Sequence, residues 1–143
     1  MINSESSASA PLPNNASHGE LLPKDRDSTN YNALPEFKKE IVNIICSYDW
    51  DVKTAVAIAY AESGLNANAH NYNPKSKDDS YGIFQINLYG KLKYARPSPE
   101  ELLNPEKNIA FAYSMYKSQG WKPWGAYNNK SYQIYLKNPI KMK

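Results

Sequence analysis

Two neighbouring stretches decide the fold: Glu62-Ser63-Gly64-Leu65-Asn66 and, after a polar loop, Ser80-Tyr81-Gly82-Ile83-Phe84-Gln85-Ile86-Asn87. The first ends an apolar helical run with a single carboxylate. The second passes from an aromatic residue and a glycine to an apolar segment that closes on Gln85 and Asn87. This arrangement can place a general acid beside a cleft for a polar polymer of rings, which makes glycan cleavage the leading hypothesis.

Helical periodicity surrounds the first stretch. A helix is predicted over residues 35–48, with a proline in its first turn and apolar residues at helical spacing. A second helix, capped by Asp49 or Asp51, is predicted over residues 52–62. Its residues are almost all small or apolar, which is typical of a helix buried on every side. Gly64 is the predicted terminator of this helix.

Shorter elements follow. We expect a loop over residues 65–79 and a short strand or irregular turn over residues 80–87. Ser98 and Asn104, each followed by a proline, are predicted helix caps, and the longer of these helices should end at Gly120. The predicted fold class is therefore mainly α, or α+β with a small β element beside the second helix.

The length of 143 residues is enough for one domain with one core. Residues 1–34 are rich in Ser, Asn, Pro and Ala and are predicted to be a disordered tail or linker, with the folded domain over 35–143. Cys46 is the only cysteine, so no intramolecular disulfide can form, and a buried thiol is the favoured interpretation. We expect a monomer.

Charge and hydropathy restrict the partners. A net charge of +3 is too small to indicate nucleic acid, although it suits an anionic polymer such as a bacterial cell wall. No apolar run approaches the ~20 residues of a membrane span. The N-terminus has no basic region followed by an apolar stretch, so no signal peptide is expected in this chain.

Taken together, Glu62-Ser63, the Gly82–Asn87 segment and Ala126-Tyr127-Asn128 resemble the lysozyme-like superfamily. They are most similar to its soluble lytic transglycosylase (SLT) type, close to phage and virion-associated members. The resemblance covers about residues 37–132. It implies a lysozyme-like fold and a peptidoglycan-cleaving enzyme that acts on the β-1,4 bond between N-acetylmuramic acid and N-acetylglucosamine. Such an enzyme works in the cell envelope or outside the cell, either secreted or virion-associated.

The resemblance implies a role for each matching residue. Glu62 would be the catalytic acid and then the base, and Ser63 would orient it or contact the sugar. Gln85 and Asn87 would line the cleft and hydrogen-bond substrate groups, while Tyr127 would bind substrate and pack near Glu62. Two other interpretations stay open, a structural hydrogen bond for Gln85 and a core position for Tyr127. No cofactor is implied.

The second carboxylate separates two reaction types. Classical glycosidases use two, whereas lytic transglycosylases resemble single-carboxylate sites in which the sugar's own 6-hydroxyl closes an anhydro ring. Animal-type lysozymes carry an Asp where this chain has Ser80, with Asp78 and Asp79 displaced upstream. A solvated pair of loop acids is the favoured interpretation of Asp78 and Asp79; in the other interpretation, the alternation of strand side chains points Asp79 away from the cleft and Asp78 toward it. A lytic transglycosylase is therefore favoured, with a hydrolytic muramidase or a non-catalytic glycan-binding module as alternatives.

Two tryptophans and two histidines are further candidates for the site. Trp121 and Trp124 either flank a sugar subsite or pack in the core. His18 and His70 show no recognised metal-ligand spacing, so no metal site is expected.

Overall fold

Two helices supply a large share of the core in the computed structural model, which describes residues 33–137. Helix α1 spans Glu36–Cys46 and follows Pro35, while helix α2 spans Val52–Ser63 and follows Asp51. Every residue of α2 from Thr54 to Tyr60 is buried, as its all-round apolar sequence predicts. The predicted tail lies outside the described residues except for its last two.

Gly64 ends α2 in the predicted way. It adopts the left-handed conformation at φ 65°, and its N–H donates to the Tyr60 carbonyl over 2.8 Å. This conformation costs a residue with a Cβ about 1–2 kcal/mol, which is why glycine is favoured here. The stop leaves Glu62 in the last turn of the helix, and the chain then turns to bury Leu65.

A three-stranded antiparallel sheet follows, in the order β1 (His70–Asn73), β2 (Asp78–Tyr81) and β3 (Ile86–Asn87). The prediction of a loop over 65–79 is therefore wrong, because that range contains β1, a 3₁₀ turn at Pro74–Ser76 and the start of β2. Strand β1 is polar and exposed throughout. It pairs through its backbone at the sheet edge and shows no apolar alternation for a sequence pattern to reveal.

The second half of the chain is helical. A 3₁₀ segment spans Gly90–Ala95, and α3 (Pro99–Leu102) begins with a capping box at Ser98, as its sequence predicts. Helix α4 spans Pro105–Gln119 and ends at Gly120, also as predicted. Two short helices complete the described chain: α5 (Gly125–Asn128) and α6 (Gln133–Lys137). The fold is mainly α with a small β element, which confirms the predicted class.

Aromatic rings fill the core beneath the sheet. Trp50 contacts Phe84, Tyr113 and Trp121 with ring centroids 5.4–5.5 Å apart, and its indole N–H donates to a backbone carbonyl of α1. Most of the rings therefore serve packing. Cys46 is buried, as predicted.

Candidate active site

Glu62 lies half-buried at the end of α2. Its Oε2 accepts a hydrogen bond from the backbone N–H of Ala126 over 3.2 Å. Burial raises the pKa of the Glu62 carboxyl above its ordinary value; the Ala126 N–H opposes this rise and the charge of Asp78 adds to it. The carboxyl is thus biased toward its protonated form.

Trp124 positions the backbone N–H of Ala126 that donates to Glu62. The Trp124 ring is buried at 3% exposure, and its Nε1 donates to the Phe84 carbonyl over 3.0 Å. This anchor precedes α5, whose first N–H groups have no partner within the helix, and Ala126 directs one of them at Glu62. Of the two interpretations of Trp124, core packing describes the structure.

Ser63 joins the helix to the sheet region. Its hydroxyl lies 3.1 Å from the Ala59 carbonyl and 2.7 Å from the Ile83 carbonyl, so one O–H bridges α2 and the turn after β2. An orienting role for Ser63 toward Glu62 stays a prediction. A contact between Ser63 and a sugar stays a prediction.

Gln85 organises the turn between β2 and β3. Its backbone has a left-handed φ of 49°, unusual for a residue with a side chain. The side-chain amide of Gln85 stabilises this conformation through hydrogen bonds. Its Nε2 donates to the carbonyls of Gly82 (3.0 Å) and Ala69 (3.3 Å), while its Oε1 accepts from Asn71 over 2.7 Å. Both amide hydrogens are thus used within the protein. The structural interpretation describes this arrangement, and substrate contact stays a prediction.

Asn87 is bonded in the same manner. Its Oδ1 accepts the backbone N–H groups of Asp79 and Tyr89, each over 2.9 Å, and its Nδ2 donates to the Lys77 carbonyl over 3.0 Å. One amide hydrogen remains for a ligand. Asn87 thus joins three segments of the chain at the sheet. Its predicted substrate contact would use the remaining amide hydrogen.

The acids of β2 occupy opposite faces of the sheet. Ser80 pairs with Asn87, and its hydroxyl donates to Asp78, which lies on the same face two residues earlier. Asp79 lies on the other face and accepts from His70 Nε2 over 2.7 Å. The charge of Asp78 adds to the rise in the pKa of Glu62, and an orientation of Asp78 toward the cleft stays a prediction.

Tyr127 is half-buried one residue beyond Ala126. Its ring stacks on Tyr132 at 5.1 Å and lies 6.5 Å from Trp121, which in turn stacks on Trp50. Both Tyr127 and Trp121 therefore support packing while keeping an edge accessible to solvent. A substrate contact by Tyr127 stays a prediction.

The sequence arguments missed Asn108, and they quoted Gly82 within its motif without seeing that its neighbours leave no room for a side chain. The Asn108 side chain is fully buried; it accepts from the Phe84 N–H and donates to the carbonyls of Tyr81 and Leu102, each over 2.9 Å. A Cβ on Gly82 would collide with the Leu102 carbonyl and the Asn108 amide. The sequence signal that could have identified Asn108 was its position as a single asparagine on the apolar face of α4.

Two negative findings apply to residues 33–137. No group of three or more His, Cys, Asp or Glu side chains there is arranged to hold a metal ion. None of the helices in that range is long and apolar enough to cross a membrane.

Comparisons with known proteins agree with this geometry. Residues 45–126, more than half of the chain, match the family model described as "Lysozyme like domain". The chain is 37% identical to lysozyme C, tracheal isozyme, of Bos taurus over 86 residues (52% of this chain, 58% of the relative). It is 33% identical to the intestinal isozyme of Bos taurus over 110 residues (65% and 75%) and 39% identical to lysozyme C-1 of Capra hircus over 79 residues (48% and 61%). It thus spans about three fifths of the tracheal and goat proteins. No solved structure matches significantly.

Proposed function

Since this chain belongs to the lysozyme-like domain family, we propose that it is a peptidoglycan glycosidase with Glu62 as its general acid. The observation that carries the proposal is the surroundings of Glu62. Its carboxyl is half-buried at a helix end, where the negative end of the helix dipole and the loss of water both favour the protonated form. A carboxylic acid whose pKa is raised by burial keeps its proton to higher pH and can donate it to a glycosidic oxygen.

The bond-breaking step follows from this state. Glu62 donates its proton to the glycosidic oxygen, the bond between that oxygen and the anomeric carbon of the muramyl sugar breaks, and the oxygen leaves as a hydroxyl. The Ala126 N–H then stabilises the carboxylate that Glu62 becomes. The muramyl sugar is left with oxocarbenium character, and the next nucleophile decides the product.

For the second step we propose the lytic transglycosylase course. The 6-hydroxyl of the muramyl sugar attacks its own anomeric carbon, Glu62 takes the hydroxyl proton, and a 1,6-anhydro ring closes. This course needs one carboxylate. It is supported by Ser80, which stands where animal-type lysozymes carry their second acid.

A muramidase is the second candidate, and Asp78 is the observation that favours it. Asp78 shares the face of Ser80, is close enough for its charge to raise the pKa of Glu62, and is oriented by the Ser80 hydroxyl. As a nucleophile or as a base for water it would give a reducing muramyl end. Its position two residues upstream shifts it about 6–7 Å along the strand.

The remaining assignments belong to the same proposal. The substrate-binding residues are Ser63, Gln85, Asn87 and Tyr127. The domain over 35–143 acts as a monomer on peptidoglycan strands in the cell envelope or outside the cell. Ser63 and Gln85 are proposed to act mainly by holding the shape of the cleft, because their hydrogen bonds lie within the protein.

Mass spectrometry of the soluble products from purified peptidoglycan tests this function. Anhydro-muramyl ends are the expected result and identify a lytic transglycosylase. Reducing muramyl ends would overturn that course in favour of the muramidase. Absence of product from several wall types, with binding retained, would overturn the glycosidase and leave a glycan-binding module.

A further inference from the structure

A short basic segment, residues 90–96, follows the sheet and takes no part in the site described above. It contains Lys91, Lys93 and Arg96 and no acid. Three cations with no acid between them make a local positive patch, which can act on a charged ligand.

The basic segment is attached to one residue of the sheet through its last residue, Arg96, and through Tyr89, which directly precedes it. The Tyr89 N–H donates to Asn87 Oδ1 over 2.9 Å, and Arg96 Nη1 donates to the Asn87 carbonyl over 2.8 Å. Asn87 pairs with Ser80, on the face that also carries Asp78. The segment therefore borders the sheet side of the candidate active site.

The side chains of Lys91, Lys93 and Tyr94 in the basic segment are exposed to solvent, whereas Arg96 is half-buried. Tyr94 is 80% exposed, more than any other large hydrophobic side chain among the described residues. The ammonium of Lys93 lies 5.4 Å from the centre of the Tyr94 ring, and Lys91 is exposed beside them. The other tyrosines of the site, such as Tyr127, pack against neighbouring rings. Core packing therefore does not account for Tyr94.

We propose that the basic segment binds the glycan strand beyond the cleaved bond and selects anionic peptidoglycan over neutral β-1,4 glycan. The Tyr94 ring offers a flat apolar face to the C–H face of a sugar, whatever its charge. Lys91 and Lys93 pair with the carboxylates of the strand's peptide stems, which a neutral glycan lacks. The inference rests on the proposed function and adds a substrate preference to it.

The inference predicts two separable effects. Because the lysines are exposed, each ion pair contributes little and is screened by salt, so their loss should weaken binding to peptidoglycan about three- to tenfold at low ionic strength. Loss of the ring should weaken binding to both glycans by a similar factor.

Sedimentation with insoluble peptidoglycan and with chitin tests this, using the full chain with Glu62→Gln so that turnover does not intervene. Lys91→Gln/Lys93→Gln should bind peptidoglycan about three- to tenfold more weakly and chitin within about twofold, and the loss should vanish near 0.5 M salt. Tyr94→Ser should weaken both. The control pair Lys53→Gln/Lys117→Gln removes the same charge from exposed positions on α2 and α4.

An equal loss in the control pair, an equal loss on chitin, or a loss that persists in high salt would overturn the inference. Turnover of wild-type protein is measured separately and tests only the proposed function. Failure of one therefore leaves the other standing.

Discussion

The acids on the two sides of the candidate site are chemically alike but differ in their surroundings. On the helical side, Glu62 packs against the core, and its carboxyl accepts one backbone hydrogen bond, from the N–H of Ala126. On the sheet side, Asp78 accepts a hydrogen bond from the Ser80 hydroxyl, and Asp79 pairs with His70 at a partly exposed position. All three carboxyls are half-buried, but loss of water raises the pKa of Glu62 at its helix end, whereas the two sheet acids are held by side-chain partners.

This contrast shows how a fold can prepare one acid among several. A carboxyl deprived of water is pushed toward its protonated form and becomes a proton donor. An acid that keeps water and side-chain partners is suited to orienting groups or stabilising charge. Substitutions on the two sides of the site test whether the acids differ in this way.

Glu62→Gln removes the proton donor and keeps the shape of the side chain. We expect the rate of peptidoglycan solubilisation to fall about 10²- to 10⁴-fold, since general acid catalysis contributes that much. Glu100→Gln, an exposed glutamate at the start of α3, should change the rate less than about twofold. A Glu62→Gln protein with near wild-type rate would contradict the role of Glu62.

The same variant tests the cost of burial. The folded pKa of Glu62 lies above its ordinary value of 4.5, so ionising the buried carboxyl reduces stability as the pH rises above that value. Glu62→Gln should therefore unfold at a higher temperature than wild type at neutral pH, and the gap should close below about pH 4. Thermal unfolding at several pH values measures this.

Asn108→Ala breaks the connection between the two sides. It deletes the three hydrogen bonds of a fully buried side chain, including the one from the Phe84 N–H. We expect a loss of about 3 kcal/mol in the free energy of unfolding, measured by denaturant titration. Asn68→Ala, at an exposed position, should stay within about 0.5 kcal/mol. Equal stabilities of the two variants would show that the buried amide does not join the sheet to the core.

Asp78→Asn sharpens the division of roles. Removing the negative charge lowers the pKa of Glu62, so the fall of activity at high pH, where Glu62 loses its proton, should begin at a lower pH. In the transglycosylase course the maximal rate should drop less than about tenfold. A drop of about a thousandfold, with no such drop in Asp79→Asn, would make Asp78 the second catalytic carboxylate.

His70→Gln tests the outer face of the sheet and should have the smallest effect. The pair with Asp79 is partly exposed, with the His70 side chain 45% accessible. Exposed ion pairs contribute about 0–1 kcal/mol, so the free energy of unfolding should change by less than about 1 kcal/mol and the maximal rate by less than twofold. A large loss of activity would place this pair in the catalytic machinery.

Local signals made the helical part predictable. Gly64 and Gly120 mark helix ends because glycine accepts positive φ, and Ser98 begins a helix because its hydroxyl caps a backbone N–H. These effects need only a few adjacent residues. The position of Glu62 at a buried helix end followed from them, together with the apolar run before it.

The sheet side was less predictable because its structure comes from distant partners. Strand β1 is polar and gained its conformation by pairing with β2. The donor at Ala126 is a backbone N–H, which any non-proline residue carries, so its sequence gives no sign of that contact with Glu62. The bonds that occupy Gln85 appear only after the turn has formed.

The most direct test of the central claim is a titration of the Glu62 carboxyl, followed by NMR of side-chain ¹³C in protein labelled at glutamate and assigned with Glu62→Gln. The account predicts that this carboxyl loses its proton above the ordinary value of 4.5, because burial outweighs the Ala126 hydrogen bond. Titration at or below 4.5 would contradict it, since Glu62 would then not hold the proton that cleavage requires.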